Sequence, residues 1–335
     1  MRETNILFIW QVKSVAQDYL RQGLKDLPEI KLIFPHEADE GLYLKHASTA
    51  QIIIGWRPTK ELLASAAELK LFINPGAGIK HQIELFRQIN LIRKVALANG
   101  HGNSYFTAQH AVAMLLSLTN KVVPHHNWMA SGRWRMGDKE GASIPLRGQR
   151  VGLLGYGAIN SKVHRFLSGF DLTFSCLRRK VDSVHTDFKQ YSTDQLHAFL
   201  AQTDILIIAV PETSATVDLI GEDELELLGK DGILVNVARG TVVSEQALYG
   251  ALATKSIAGA ALDVWYDYQP DADESGKKYP FREPFHELDN VVLSPHRSAS
   301  PFSDLKRWDE VIENIKRVAA GREDYLNVVD LEMEY

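Results

Sequence analysis

Apolar residues in this chain come in short, nearly unbroken runs separated by helix-length segments of mixed polarity. "NILFIW", "IKLIFP", "QIIIGW", "LKLFINP" and "VALAN" come first, then "RVGLLG", "LTFSCL", "DILIIAVP", "GILVNVA", "IAGAALDVW" and "NVVLSPH". A strand buried on one face alternates apolar and polar positions. Runs this apolar are buried on both faces, as in parallel sheets covered by helices. The pattern predicts an α/β chain with parallel sheets covered on both faces.

The two groups of strands part near residues 100–135. "SYFTAQHAVAMLLSLTNKVVPHHNWMASGRW" begins as a helix, with apolar positions at Phe106, Val112, Leu115, Leu116 and Leu118. Pro124 is expected to end or bend it. Beyond Pro301, "SDLKRWDEVIENIKRVAAG" reads as one amphipathic helix stopped at Gly321. That helix is expected to return to the first lobe. The predicted division is therefore a discontinuous first lobe, 1–103 plus 300–335, and a second lobe, 104–299.

Composition narrows the class. With 335 residues, 45% of them hydrophobic, the chain can build two cores. A net charge of -5 offers no basic field for nucleic acid, so no nucleic-acid partner is expected. The five-residue apolar run Ile6–Trp10 is too short for a signal h-region or a membrane span. One cysteine, Cys176, allows neither an internal disulfide nor a cysteine-based zinc site, and no metal site is predicted. These features together predict a cytoplasmic protein without a membrane partner.

"RVGLLGYGAINSKVHRFLSGF" orders strand, glycine turn and helix as a dinucleotide site requires. Gly155 permits the tight turn and Gly157 lets the backbone approach a pyrophosphate. The amides of Ala158 and Ile159 then open the helix, where free N–H groups favour anions. The third glycine of the pattern is replaced by Asn160, which is expected to loosen helix–strand packing. The following strand ends in Arg178, Arg179 and Lys180, with no acid before Asp182. An acid there would hold the 2′-hydroxyl of NAD, whereas arginines accept a 2′-phosphate, so NADP is expected in preference to NAD.

"GLLGYGAIN", "LIIAVPETSATVDLI", "GILVNVARGTVVSEQAL", "AGAALDVW" and "NVVLSPHRSAS" stand in an order and spacing that resembles the D-isomer-specific 2-hydroxy-acid dehydrogenases. That group includes glyoxylate/hydroxypyruvate reductases and formate dehydrogenase. The resemblance implies two Rossmann-like, doubly wound parallel-sheet domains with a cleft between them: a discontinuous substrate domain, 1–103 plus 300–335, and a dinucleotide-binding domain, 104–299. It also implies hydride transfer between a nicotinamide and a small 2-oxo or 2-hydroxy acid, usually in a homodimer. It makes Arg239 the carboxylate clamp, His296 the general acid/base and Asp263 the partner of the nicotinamide carboxamide. Thr107, Val210, Pro211, Val237 and Ala238 fall beside the cofactor. "NPGAGIKH" resembles the family's substrate loop, with the backbone around Ala77 and Gly78 receiving the carboxylate and Lys80 adding positive charge. Asn103 resembles the substrate-holding asparagine of formate dehydrogenase, with helix capping as the alternative.

Physical chemistry suits these roles. A guanidinium fork matches a planar carboxylate, and an imidazolium near a ketone oxygen stabilises developing charge and delivers a proton. One feature departs from most relatives, which carry a glutamate after the aspartate to support the histidine. Ungapped counting reaches Tyr268; one inserted residue aligns Gln269-Pro270 instead. Gln269 is the preferred partner of His296, with Asp267 and Tyr268 as alternatives. Neutral support predicts a lower histidine pKa than a glutamate would give. The leading expectation is an NADP-preferring reductase of glyoxylate- or hydroxypyruvate-like acids. The alternatives are a formate-type dehydrogenase and a non-catalytic dinucleotide-sensing module. The polar insert "PDADESGKKYPFREPFHELD" is expected to cover the cleft or decorate the dimer.

Overall fold

The structure is a computed structural model that describes residues 3–135, 137–181, 188–300 and 303–335. The chain forms two compact units, Met1–Asn103 with Pro301–Tyr335, and Ser104–Ser300.

In the first unit, strands β1 (Thr4–Phe8), β2 (Ile30–Ile33), β3 (Ala50–Ile54), β4 (Leu71–Asn74) and β5 (Ala96–Asn99) alternate with helices α1 (Ser14–Gly23), α2 (Glu40–Ala47), α3 (Lys60–Ser65) and α4 (Lys80–Asn90). The sheet is wholly parallel, in the order β2-β1-β3-β4-β5. Its strands serve two cores at once, because successive side chains point to opposite faces. Ile52 and Ile54 join Ile6, Phe8, Leu71 and Ile73 on one face. Ile53 joins Leu7, Phe72 and Leu97 on the other, under α2, α3 and α4. The first face is covered by α1 and by a helix from the far end of the sequence, which buries Val311, Ile312, Ile315 and Val318. The chain end then runs beside β5, with the Val329 amide donating to Leu97 O at 2.8 Å.

In the second unit, α5 (Ser104–Thr119), α6 (Val122–Ala130) and α7 (Asp138–Gly141) precede the sheet. Then follow β6 (Arg150–Leu154), α8 (Asn160–Leu167), β7 (Thr173–Leu177), β8 (Lys189–Tyr191), α9 (Leu196–Leu200), β9 (Ile205–Ile208), α10 (Glu222–Leu228), β10 (Ile233–Asn236), α11 (Glu245–Ala253), β11 (Gly259–Leu262) and β12 (Val291–Leu293). The returning helix of the first unit is α12 (Asp309–Ala319). Strand order β12-β11-β10-β9-β6-β7-β8, all parallel, is the dinucleotide-fold order with one added strand at an edge. The winding reverses between β6 and β9, so a crevice opens beyond their carboxyl ends. One face packs on α5 and α8 through Ala108, Ala111, Leu115, Val163 and Leu167. The opposite face packs on α9, α10 and α11 through Phe199, Leu225, Leu248 and Leu252.

Several local expectations are corrected. Pro124 does not end the connecting helix. The break comes earlier, where Lys121 takes a left-handed φ of 49°, and Pro124 lies in the first turn of α6, where its missing N–H costs nothing. Asn160 does not loosen the glycine turn. It is fully buried, and its amide donates to Leu154 O, Gly155 O and Ile207 O at 3.2, 2.7 and 3.2 Å. A side-chain amide thus ties helix to sheet where other turns use a close glycine contact. Asn160→Ala is expected to cost about 1–2 kcal/mol, because Gly155 O and Ile207 O lose this donor while Leu154 O keeps the Ala209 amide, read as a lower denaturant midpoint. An unchanged midpoint would show that water replaces the amide. The polar insert is partly structural: Phe285 is fully buried, Phe281 packs on Trp265 at 4.9 Å, and Pro280 O accepts the amides of Tyr266 and Asp267.

Candidate active site

The glycine turn after β6 has the geometry of an anion cradle. Gly155 has φ +81°, and a Cβ on it would lie 2.8 Å from Val210 Cγ1 and 2.9 Å from Ala209 O. Only glycine fits there. Val210 and Pro211 follow β9 across the switch point. Among the described residues, the amides of Gly157, Ala158 and Ile159 donate to no protein acceptor, and α8 starts directly after them. Such N–H groups at a helix start suit a pyrophosphate, so the residues present fit a dinucleotide. Thr107 is buried in α5, which packs against α8. At the end of β7, Arg178 is half-buried while Arg179 and Lys180 are exposed. The Arg178 amide donates to Tyr191 O at 3.0 Å, which fixes the turn to β8. Asp182 lies outside the described residues.

Three neighbouring strands, β10, β11 and β12, end in the other candidates. After β10, Asn236 clamps the turn: its Nδ2 donates to Arg239 O at 2.9 Å and its Oδ1 accepts the Ala238 amide at 3.0 Å. Val237 and Ala238 are buried, while Arg239 stays half-exposed with Nη1 donating to Ala238 O at 2.6 Å. A Cβ on Gly240 would meet the Trp265 backbone at 2.4 Å, so the chain can turn there only as glycine.

Asp263, after β11, is fully buried. Its Oδ1 accepts from the Ser294 hydroxyl and the Arg297 amide, and its Oδ2 from the Ser298 amide at 3.0 Å. His110 of α5 reaches the same group, with Nε2 2.9 Å from Ser294 Oγ and 3.5 Å from Asp263 Oδ1. Burial alone would raise the Asp263 pKa; the hydrogen bonds from His110, Ser294, Ser298 and the Arg297 amide outweigh it and hold the carboxyl at about 2. The carboxylate therefore organises the segment 294–298 that carries His296.

His296 itself takes a left-handed φ of 53° and projects from that segment as an exposed side chain. Its pKa is lowered by the burial of part of the ring, then by Arg239 and Arg297, with Asp263 pulling the other way. Of Gln269 and Tyr268, it is Tyr268 that stands beside His296. Tyr268 lies against His296, ring centroids 5.3 Å apart, with its hydroxyl 3.4 Å from the Trp265 amide. Gln269 is exposed, and among the described residues no hydrogen bond joins it to His296. The Asp267 carboxylate accepts the Gln269 amide at 2.8 Å and turns the chain outward immediately after Tyr268. The geometry thus favours the ungapped count. His110 and Ser294 were missed as members of the site. Ser294 was legible in "SPH", whereas nothing near His110 announces a partner 184 positions away.

In the first unit, the turn after β4 is built from the inside. Asn74 Nδ2 donates to Gly76 O and to Gly78 O, and Asn99 Nδ2 donates to Ala77 O at 2.9 Å. With these carbonyls held inward, the amides of Ala77 and Gly78 donate to no protein acceptor among the described residues. Asn103 Oδ1 is buried without a hydrogen-bond partner among the described residues, so among them the side chain does not cap α5. Lys80 is exposed at the start of α4. Among the described residues, no group of three His, Cys, Asp or Glu side chains could hold a metal ion, and no helix is long and apolar enough to cross a membrane.

Comparison with known proteins places these motifs. A family model described as D-isomer specific 2-hydroxyacid dehydrogenase, NAD binding domain, matches residues 112–298. The chain is 31% identical to the D-3-phosphoglycerate dehydrogenase of Archaeoglobus fulgidus over 94% of its own length, and spans only 57% of that protein. It is 29% identical to a glyoxylate/hydroxypyruvate reductase of Arabidopsis thaliana over 85% of each chain. Among solved structures, an NADPH-dependent glyoxylate/hydroxypyruvate reductase of Sinorhizobium meliloti, in complex with NADP and malonate, is 26% identical over 99% of this chain and 98% of that one, with a TM-score of 0.71.

Proposed function

Because the chain belongs to the D-isomer-specific 2-hydroxyacid dehydrogenase family, we propose that it is an NADP-preferring reductase of small 2-oxo acids of the glyoxylate or hydroxypyruvate kind. The observation that carries this reading is that Arg239 and His296 stand just beyond the ends of β10 and β12, the two strands that flank β11 in one sheet, with the guanidinium among the charges that depress the imidazole's pKa. Arg239 holds the substrate carboxylate through its fork and polarises the ketone. His296 gives its proton to the ketone oxygen as charge develops there. A bound nicotinamide supplies the hydride. The buried Asp263 keeps His296 in place by fixing Ser294, Arg297 and Ser298. Within the first unit, the open amides of Ala77 and Gly78 support a carboxylate-binding role for that turn.

The direct test is NADPH consumption with glyoxylate, hydroxypyruvate and pyruvate, run beside formate in the oxidative direction. A formate-type reaction needs no proton partner. It retains the support of Asn103, whose buried oxygen lacks a protein donor among the described residues, but not that of Gln269. Formate-dependent NADPH formation without reduction of any 2-oxo acid would replace our reading by that one.

The state of His296 sets the pH profile. The general acid must be protonated, and its pKa lies below the ordinary histidine value of about 6.5. Reduction is therefore expected to fall as pH rises through an apparent pKa below 6.5. A profile of kcat/KM that holds level past pH 7 would refute this.

Cofactor choice rests on Arg178 and Arg179 at the end of β7. Replacing both by alanine is expected to raise KM for NADPH by roughly 10- to 100-fold, from the loss of charge-assisted bonds to a 2′-phosphate, and to change KM for NADH little. Equal effects on the two cofactors would leave NADP preference without support.

A further inference from the structure

Ser294 precedes His296 by two positions, and each of its polar atoms is engaged. Its amide donates to Leu262 O at 2.8 Å. Its carbonyl accepts from Trp265 Nε1 at 2.8 Å and from the His296 amide at 3.0 Å. Its hydroxyl donates to Asp263 Oδ1 and lies 2.9 Å from His110 Nε2. All of these groups belong to the second unit. Among these partners, only His110 comes from a helix, α5, which packs on both β11 and β12.

The direction of the His110 contact follows from counting hydrogens. Asp263, buried yet held at a pKa of about 2 by its donors, is an ionised carboxylate. Its two oxygens also accept the Arg297 and Ser298 amides, at 2.8 and 3.0 Å. A carboxylate has no hydrogen to give, so the single hydroxyl hydrogen of Ser294 points to it. Ser294 Oγ can then only accept from the imidazole, which fixes a hydrogen on His110 Nε2. The same nitrogen is 3.5 Å from Asp263 Oδ1, so its hydrogen also faces the carboxylate. The turn beyond needs such holding, because His296 sits at φ 53°, a conformation disfavoured for any side chain with a Cβ. Backbone of this kind persists only where its surroundings over-determine it.

We propose that His110 is a positioning residue: by donating its Nε2 hydrogen to Ser294 it fixes the Ser294–Asp263 pair, and with it the orientation of His296. The consequence for turnover rests on the 2-oxo-acid reading above, whereas the position of the hydrogen does not. His110 acts through the turn and takes no proton from the reaction.

Two measurements test this. The first is nitrogen NMR of isotopically labelled histidine in the wild-type protein, with His110 assigned by the signal lost in either variant below. From neutral to mildly alkaline pH, Nε2 of His110 is expected to carry the hydrogen and Nδ1 to be bare. A bare Nε2 would reverse the Ser294 bond and overturn the proposal. The second is kcat for glyoxylate and hydroxypyruvate reduction with NADPH saturating. His110→Phe keeps a ring of similar size and removes the donor; His110→Gln gives up the ring and keeps an amide donor. His110→Phe should lower kcat by about tenfold or more, toward the roughly 100-fold that an ångström of misplacement can cost, and leave KM for NADPH little changed. His110→Gln should recover most of that loss. A ring that merely fills space predicts the reverse order; that order, or equal losses in both variants, overturns the proposal. Wild-type protein that reduces neither acid with either cofactor would overturn the functional reading and this role with it. A bare Nε2 in an active enzyme overturns the His110 assignment alone.

Discussion

Arg239→Ala is expected to lower kcat/KM for 2-oxo-acid reduction by about a thousandfold or more. Losing a donor aimed at the developing oxyanion alone costs about 100- to 1,000-fold in kcat. Losing the bidentate grip on the carboxylate adds to that through KM. Arg239→Lys restores a charge without the fork and should recover only a small part. The variant carries an internal control. The Arg239 charge is one of the influences that depress the His296 pKa, so the residual activity should hold to higher pH than in wild type. NADPH affinity, measured by fluorescence titration, should change little, because the glycine turn lies after another strand. A loss below tenfold, or an unmoved pH profile, would remove Arg239 from the reacting centre.

His296→Asn is expected to cost about 100- to 10,000-fold in kcat, the usual contribution of a positioned acid or base, and to flatten the pH dependence below neutrality. Asparagine is the informative replacement because of the backbone. With φ at 53°, a β-branched residue would be strained there, whereas asparagine adopts that conformation readily. A fall in activity then reports lost proton transfer and not a collapsed turn. Full retention of reduction by the asparagine variant, with wild-type pH dependence, would mean that the proton comes from another group, and Tyr268 would be the next to replace.

Most of the sheet architecture was legible because buried parallel strands announce themselves as apolar runs. The exception is instructive. Strand β8 is only three residues, Lys189–Tyr191, at the sheet edge. An edge strand needs no continuous apolarity, so periodicity passes over it. That Arg239, Asp263 and His296 stand just beyond strand ends was readable because each follows an apolar run within a motif. Tyr268 and Gln269 were harder to separate. Their placement depends on how Asp267 turns the chain and on Pro280 receiving the two preceding amides, neither of which a spacing rule contains. Asn160 was misjudged for a related reason. A missing glycine counts as a loss only if the new side chain finds no partners, and here it finds three buried carbonyls.

The first unit's core draws on both extremes of the chain, with Ile6, Ile52 and Ile54 sharing one apolar face with Val311, Ile315 and Val318. Synthesis runs the other way from assembly. The five strands made first must wait, one face covered by α1 alone, while the whole of Ser104–Ser300 emerges. During synthesis, the first unit can therefore complete its core only after the residues of the second have been made. Any lesion that delays α12 should show up as aggregation of the nascent chain before it shows up as lost catalysis.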